Sequence, residues 1–297
     1  MRHLMLSAVA AIALAAPALA EDVTIATAQG DVTLPANPAT VAVYDIAALD
    51  SLTALGVQVQ GVPDNLYLPA LKETVTAEPV GTLFEPDLEK LAALNPDLII
   101  VAGRSATQKQ AVERVATAID MTLGTDVLAA AKDRITAYGT LFSRQDRAAE
   151  LNTELDGKIA ALHAAAEGKG TALVIMTNGP KMAAYGEGSR FGWLHSVTGM
   201  PQAITSLDPT ANHGSALSPE LIADANPDWL FVLDRGAAIG ETGQSAQATL
   251  DTPLIQGTTA WSNGQVVYLP SSEIYVAAGG YHALNTVIDT LTEALTK

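Results

Sequence analysis

The chain has 297 residues, no cysteine, and 32 Asp and Glu against 16 Lys and Arg, for a formal net charge of −16. That balance argues against nucleic acid and anionic membrane surfaces as partners. The missing cysteines exclude disulfides and a lipid-modified cysteine, so stability must come from a core large enough to do without staples.

Taken in chain order, Arg2 and His3 precede an apolar stretch from Leu4 to Ala16 that closes on Ala18-Leu19-Ala20. This reads as a secretory leader over 1–20 with Glu21 as the mature N-terminus. Its removal takes away Arg2 and makes the charge balance more acidic still. No later stretch approaches the roughly 20 consecutive apolar residues of a membrane-spanning helix. The expected location is the periplasm of a Gram-negative bacterium, with no lipid anchor. About 277 mature residues are enough for two domains of ordinary size.

A β-rich opening (Val23–Ala26, Val32–Leu34) leads to a core strand at Val41–Tyr44, a helix over Asp45–Leu55 stopped by Gly56, and a strand at Val57–Val62. A short helix over Pro86–Leu94 then meets the most informative pattern in the chain. Asn95-Pro96-Asp97-Leu98-Ile99-Ile100-Val101-Ala102-Gly103-Arg104 returns as Asn226-Pro227-Asp228-Trp229-Leu230-Phe231-Val232-Leu233-Asp234-Arg235. Each copy is a turn, an uninterrupted apolar run like a strand covered on both faces, and an arginine where the strand ends. In open α/β sheets, ligands bind beyond the carboxyl ends of the strands.

A helix over Gln108–Ala118 follows the first copy. From Ser143 to Glu167 there is no proline, and Ala148, Leu151, Leu155, Ile159 and Leu162 recur at helical spacing, which predicts one long helix ending at Gly168-Lys169-Gly170. The strand Thr171–Met176 opens a second α/β alternation that closes with a helix over Ala283–Leu295. The predicted fold is α/β: two lobes with central, mainly parallel sheets (21–142 and 169–297) joined by a single long helix (143–168).

The chain has no G-x-S-x-G elbow, H-E-x-x-H pair or Walker loop, so the sequence favours a binding protein over an enzyme. Arg104 and Arg235 stand beyond the repeated strands. Arg190 stands in the glycine-rich loop Ala184–Gly192, together with Tyr185, in a chain where cations are scarce. His213 lies in the small-residue loop Ala211–Ser215, and Tyr275 precedes Val276-Ala277-Ala278-Gly279-Gly280. Imidazole nitrogen and phenolate oxygen both suit iron(III), although hydrogen-bonded loop residues are the plainer reading of each. His163 on the long helix, His195 after Trp193, and Tyr281 with His282 at the last helix are read as surface, packing or cap residues. Glu89 and Glu220 form a symmetric pair, each seven residues before the proline of its Asn-Pro-Asp turn. Each is either a first-turn acid complementing the helix dipole or one carboxylate per lobe that docks on a symmetric partner.

The segments Tyr44–Gly56, Gly81–Glu89, Ala184–Gly192, Asp228–Gly240 and Tyr275–Gly280 resemble the periplasmic siderophore-binding proteins of iron ABC importers, in particular the catecholate and petrobactin group. The resemblance covers nearly the whole mature chain; Ser189-Arg190-Phe191-Gly192 and Asp234-Arg235-Gly236-Ala237-Ala238-Ile239-Gly240 are its most specific motifs. It implies a rigid bilobal carrier, monomeric and without an intrinsic cofactor, that takes Fe(III) as a siderophore complex. Arg104, Arg190, Arg235 and Tyr185 would line the ligand, His213 and Tyr275 would complete the iron shell, and Glu89 and Glu220 would meet an inner-membrane permease. One departure is Ile274, where the family often has tryptophan, so the resemblance specifies a class of siderophore rather than a compound. Carriers of haem, cobalamin or hydroxamate siderophores share the same fold, and a secreted siderophore hydrolase is the alternative from a different class.

Overall fold

The two Asn-Pro-Asp turns fold alike for the same local reasons. Asn95 and Asn226 end the helices Leu88–Leu94 and Pro219–Ala225 in the left-handed conformation, at φ 51° and 41°, which asparagine tolerates better than most L residues. Proline then prevents the helix from continuing. The aspartates reach sideways to the neighbouring strand. Asp97 accepts from the backbone N–H groups of Ala39 and Thr40 at 2.9 and 2.8 Å. Asp228 accepts from the N–H and hydroxyl of Thr171 at 2.7 and 3.0 Å. Each carboxylate therefore pins the start of one central strand to the start of the next and fixes their parallel register.

The computed structural model describes residues 21–211 and 213–297, so the predicted leader lies outside the described residues. A hairpin of β1 (Asp22–Thr27) and β2 (Gly30–Pro35) precedes the first lobe. That lobe's strands are β3 (Val41–Val43), β4 (Gly61–Val62), β5 (Glu78–Pro79), β6 (Leu98–Val101) and β7 (Ala118–Asp120), in the all-parallel order β5-β4-β3-β6-β7. The second lobe has β8 (Ala172–Asn178), β9 (Lys181–Tyr185), β10 (Ser215–Leu217), β11 (Trp229–Asp234) and β12 (Val266–Tyr268), ordered β10-β9-β8-β11-β12. There β8, β11 and β12 are parallel, and β9 runs antiparallel to both of its neighbours. The repeated strands β6 and β11 hold the fourth position in each order, and their apolar runs are buried as a doubly covered strand requires.

The long helix runs from Gln145 to Ala166, 22 residues or about 33 Å. Its buried residues include Ala148, Leu151, Leu155 and Leu162, the stripe expected from the spacing. It packs against the helix Val127–Leu141 and the last helix, Tyr281–Thr296. One apolar cluster runs through the whole molecule, with Leu49 and Ile100 from the first lobe, Leu155 from the long helix, and Phe231 and Leu284 from the second. Among the described residues no helix is long and apolar enough to cross a membrane.

Three local expectations are corrected. The strand at Val57–Val62 shrinks to Gly61–Val62, because only Gly61 is in register with β3, opposite Ala42. Gln108–Ala118 is not one helix: a 3₁₀ turn at Gly103–Gln108 and a four-residue helix, Lys109–Val112, give way to β7, since Ala118-Ile119-Asp120 is needed as the strand beside β6. The helix Val127–Leu141 was not foreseen; Asp126 caps it by accepting from Ala129 N–H.

Replacing either register-pinning aspartate should be costly for a partly exposed residue. Asp97→Ala and Asp228→Ala are each expected to lower unfolding free energy by about 1–3 kcal/mol, the scale of hydrogen bonds to a charged acceptor. Asp133→Ala, at an exposed position, should change it by less than about 0.5 kcal/mol. Urea denaturation checks this: the midpoint should fall at constant slope for the first two variants alone.

Candidate functional site

The parallel register makes both repeated strands end at the same edge of their sheets, and the arginines follow at once. Beyond β6, Gly103 (φ 50°) turns the chain sharply and Arg104 enters the 3₁₀ turn. Ser105 buttresses this turn by accepting from Ala102 N–H at 3.1 Å. Beyond β11, Arg235 is the first residue of the helix Arg235–Ile239, which Asp234 caps. Tyr275 ends the short helix Ser271–Tyr275, reached from β12.

These residues converge on Tyr275. The Arg104 and Arg190 guanidinium carbons lie 4.9 and 4.6 Å from the centre of its ring, and Phe191 stands 6.3 Å away, centre to centre. Arg104 and Arg190 donate to the same Tyr275 carbonyl at 2.6 and 3.0 Å, and Arg104 adds a 3.3 Å bond to the Val276 carbonyl. Arg235 Nε donates to the Tyr275 hydroxyl at 3.3 Å, while its Nη1 pairs with Glu241 at 3.3 Å. Among the described residues no carboxylate lies within ion-pair distance of Arg104 or Arg190.

This geometry sets the electrostatics. Burial, and then the nearby charge of Arg190, lowers the pKa of Arg104, as for a half-buried cation beside a second, exposed one. Burial works to raise the Tyr275 phenol, but the Arg235 hydrogen bond and the charges of Arg190, Arg235 and Arg104 outweigh it and bring it below the ordinary tyrosine range. The arrangement sets three guanidiniums around one phenol, two of them without a carboxylate partner among the described residues.

A cavity of about 630 Å³ opens beside these arginines, between the lobes. The first lobe supplies Asp45, Gly103, Arg104, Thr122, Leu123 and Arg134; the second supplies Ser189, Arg190, Pro209, Ala211, Val276 and Ala278. Arg235 and the Tyr275 ring are outside this lining, and the two guanidiniums that belong to it cover the ring.

Arg134 was missed from sequence. Its side chain is 3 % exposed, pairs with Asp45 at 3.5 Å, and donates to the carbonyls of Met121 at 3.3 Å and Gly279 at 2.9 Å. It thereby ties the second lobe's Tyr275–Gly280 segment to the first. A charged residue on the buried face of a helix, between Ala131, Ile135 and Tyr138, was the signal that could have found it.

The placement of two expected site residues is corrected. Tyr185 does not line the cleft: it is 1 % exposed, its ring packs edge-on against Phe191 at 4.7 Å, and its hydroxyl faces Met176 sulfur at 3.8 Å. The tight β8–β9 hairpin turns Tyr185 inward, where it supports the Phe191 that contacts Tyr275. His213 lies exposed in the turn before β10, and no hydrogen bond or ring contact among the described residues joins it to Tyr275.

The other described histidines are outside the cleft lining. His163 is exposed on the long helix, and His195 is buried against the Met200 carbonyl at 3.2 Å. His282 contacts Asp50 at 3.0 Å. Glu89 and Glu220 are both exposed in the first turns of equivalent helices, capped by Asp87 and Ser218.

The family model described as periplasmic binding protein matches residues 41–273. The chain belongs to the periplasmic binding protein family. The petrobactin-binding protein YclQ of Bacillus subtilis is 34% identical over 271 residues, covering 89% of this chain and 84% of that protein. Its crystal structure aligns with a TM-score of 0.86 at 33% identity, over 93% of this chain and 99% of that one. The ferric-anguibactin-binding protein FatB of Vibrio anguillarum is 28% identical, covering 88% of this chain and 84% of its own. The siderophore-binding protein BauB, solved with two molecules of acinetobactin and ferric iron, aligns at 26% identity with a TM-score of 0.83, over 93% of this chain and 100% of that one. The two lobes with parallel sheets are thus the architecture of siderophore-binding members of this family.

The cation cluster should make Tyr275 ionise more readily than the buried Tyr44 and Tyr138. Positive neighbours stabilise phenolate, so Tyr275 should ionise below the ordinary range, whereas burial drives Tyr44 and Tyr138 above it. Ultraviolet difference titration against Tyr275→Phe isolates the group, and Arg190→Gln should move its transition to higher pH. An unshifted transition would show that the guanidiniums do not act on the phenol.

Proposed function

We propose that this chain is a periplasmic carrier that captures a ferric siderophore, specifically a catecholate, between its lobes and delivers it unchanged to an inner-membrane ABC permease. The observation that carries this reading is the convergence of Arg104, Arg190 and Arg235 on Tyr275, with the first two free of carboxylate partners among the described residues. A ferric catecholate carries several negative charges on planar oxygens, and guanidinium offers forked donors that stay charged. In a partly desolvated cleft such pairs are stronger than in open water. The names of the relatives support the same class of cargo, since YclQ, FatB and BauB all take siderophores or their ferric complexes.

Iron belongs to the cargo. When the siderophore provides fewer than six donor atoms, Tyr275 would complete the shell as phenolate, for which its arginine neighbours already prepare it. His213 would join by a rearrangement of its turn, which Ala211 already anchors at the cavity. Glu89 and Glu220 would each meet a cation on one half of the permease. The leader at 1–20, export without a lipid anchor, lobe boundaries at 142–143 and 168–169, and a monomeric state complete the proposal.

Fluorescence titration with ferric catecholates, a neutral ferric hydroxamate and haem tests the cargo. Arg104→Ala or Arg190→Ala should weaken ferric catecholate binding by about tenfold or more, corresponding to a charge-assisted contact of about 1.4 kcal/mol, and should flatten its salt dependence. An equal loss for the neutral hydroxamate would overturn the electrostatic reading. For ligation, Tyr275→Phe should remove the change in the iron charge-transfer band that accompanies binding of a tetradentate ferric catecholate. An unchanged band in both Tyr275→Phe and His213→Ala would leave the iron held by its chelator alone.

A further inference from the structure

The large apolar side chains most exposed among the described residues are Phe84 at 55 %, Leu221 at 49 %, Leu254 at 45 % and Tyr268 at 41 %. Three of these four accompany the symmetric glutamates. Phe84 is five residues before Glu89, Leu221 follows Glu220 directly, and Leu254 lies on the helix Pro253–Gln256, which packs against the helix carrying both Glu220 and Leu221.

Topology places Phe84, Glu89, Glu220 and Leu221 at the cleft edge of the sheets, with Leu254 on the helix packed beside the last two. The helix Leu88–Leu94 runs back from the carboxyl end of the first sheet into β6, so its first turn lies at the edge where Arg104 emerges. β10 is antiparallel to β9, which is antiparallel to β8, so β10 points the same way as β8 and β11. The helix Pro219–Ala225 therefore also begins at the edge of its sheet from which Arg235 emerges. Each lobe presents a carboxylate with apolar surface next to it, and the cleft lies between them.

The exposure of Phe84 is built into the chain. Thr82 Oγ1 accepts from the N–H groups of Phe84 and Glu85 at 3.2 and 2.9 Å, Thr82 N–H donates back to the Glu85 carbonyl at 2.9 Å, and a Gly81–Pro86 bridge closes the turn. Gly81 is at φ 100°, where an added Cβ would run into the Asp87 backbone nitrogen. The aromatic ring is thus held outward on a stiff turn, at a cost in solvation that a partner would relieve.

Resting on the carrier reading above, we propose that Phe84 on one lobe, and Leu221 with Leu254 on the other, are the apolar anchors that seat this protein on the outer mouth of its membrane permease. Each enters an apolar socket beside the cation that receives Glu89 or Glu220. Charge complementarity selects this occupant. A second copy of the chain, at net charge −16, would set Glu85, Glu89 and Glu220 against like charge, whereas a permease offering one cation to each of the two acidic patches on pseudo-equivalent helices would match them. Carboxylates give orientation and encounter rate, and the desolvated apolar contacts slow dissociation.

The test uses Phe84→Ser and the double variant Leu221→Ser/Leu254→Ser. Each is assayed for stimulation of ATP hydrolysis by the host's permease–ATPase complex in nanodiscs, with the carrier empty or loaded with ferric petrobactin. Both variants should need about tenfold or more carrier for half-maximal stimulation, while melting temperature and ferric petrobactin affinity stay at the parent values. Unchanged half-maximal concentrations in both variants would overturn the proposal. So would a parallel loss of siderophore affinity, which would assign these side chains to the cleft, or a parent dimer in sedimentation equilibrium that Phe84→Ser dissociates, which would assign the patch to a second copy. If the parent binds no ferric siderophore yet the empty protein stimulates the complex in an anchor-dependent way, the cargo reading fails and the docking surface stands.

Discussion

The sharing of one backbone carbonyl by two arginines from opposite lobes governs the rest of this molecule. Arg104 and Arg190 meet at the Tyr275 carbonyl and both pack on its ring. Two guanidiniums held this close repel each other, and the partial burial of Arg104 weakens screening on its side while Arg190 stays exposed. The aromatic ring, the Tyr275 and Val276 carbonyls and the more distant charge of Asp45 offset that repulsion only in part, since each carbonyl contributes a dipole and the ring a quadrupole. A net positive potential is left at the edge of the cavity in an otherwise acidic protein. Under the proposed function, an anion with several planar oxygens would supply the missing countercharge by drawing the guanidiniums off the ring, with the sheets unchanged.

The frame around this site is stiff. Gly279, at φ 83°, packs so closely on Leu123 of the other lobe that an added Cβ would overlap it, and Arg134 bonds the same glycine's carbonyl from the first lobe. The last helix, in the second lobe, has its N-terminus satisfied by the first: Asp50 accepts from Ala283 N–H and Ser51 from Tyr281 N–H. Tyr281 also donates to Glu154 on the long helix at 2.5 Å. Separating the lobes would expose these groups and divide a continuous apolar cluster. Capture therefore falls to side-chain rearrangement and slight rocking, as expected of lobes joined by one helix and braced at its side.

What was legible in the sequence was what local chemistry determines. Asn-Pro-Asp foretold a helix end, a proline stop and a strand start, and the repeat revealed two equivalent sheets because each aspartate has a backbone target beside its own strand. The long helix was legible from its apolar stripe, and Arg104 and Arg235 from their places at strand ends. Long-range geometry was not legible. Nothing near Tyr185 tells that the β8–β9 hairpin points it inward, and Arg134 gains its meaning from Asp45 and Gly279, far from it in the chain. His213 has the right chemistry for iron, but chain position alone could not say that its turn leaves it exposed and without a link to Tyr275.

The same edge of the two sheets bears both the cation-lined cleft and the acidic, apolar-flanked first turns, and the topology requires this. In a parallel α/β lobe the loops that follow strands and the first turns of the returning helices share one edge, so a duplicated lobe displays both on a single face. Beyond about 10 Å at moderate ionic strength, a charge of −16 acts on an approaching anion only weakly. Under the proposed function, selection of an anionic cargo would therefore belong to short-range contacts with Arg104 and Arg190, which line the cavity without a carboxylate partner among the described residues. The exposed acids can then serve a cationic partner without cancelling the cleft, because the two sets of charges are separated by protein and solvent. Within each lobe, one strand–turn–helix plan thus places a strand-end arginine and an exposed first-turn glutamate on the same edge of the sheet, which is the arrangement the proposed capture and docking would need.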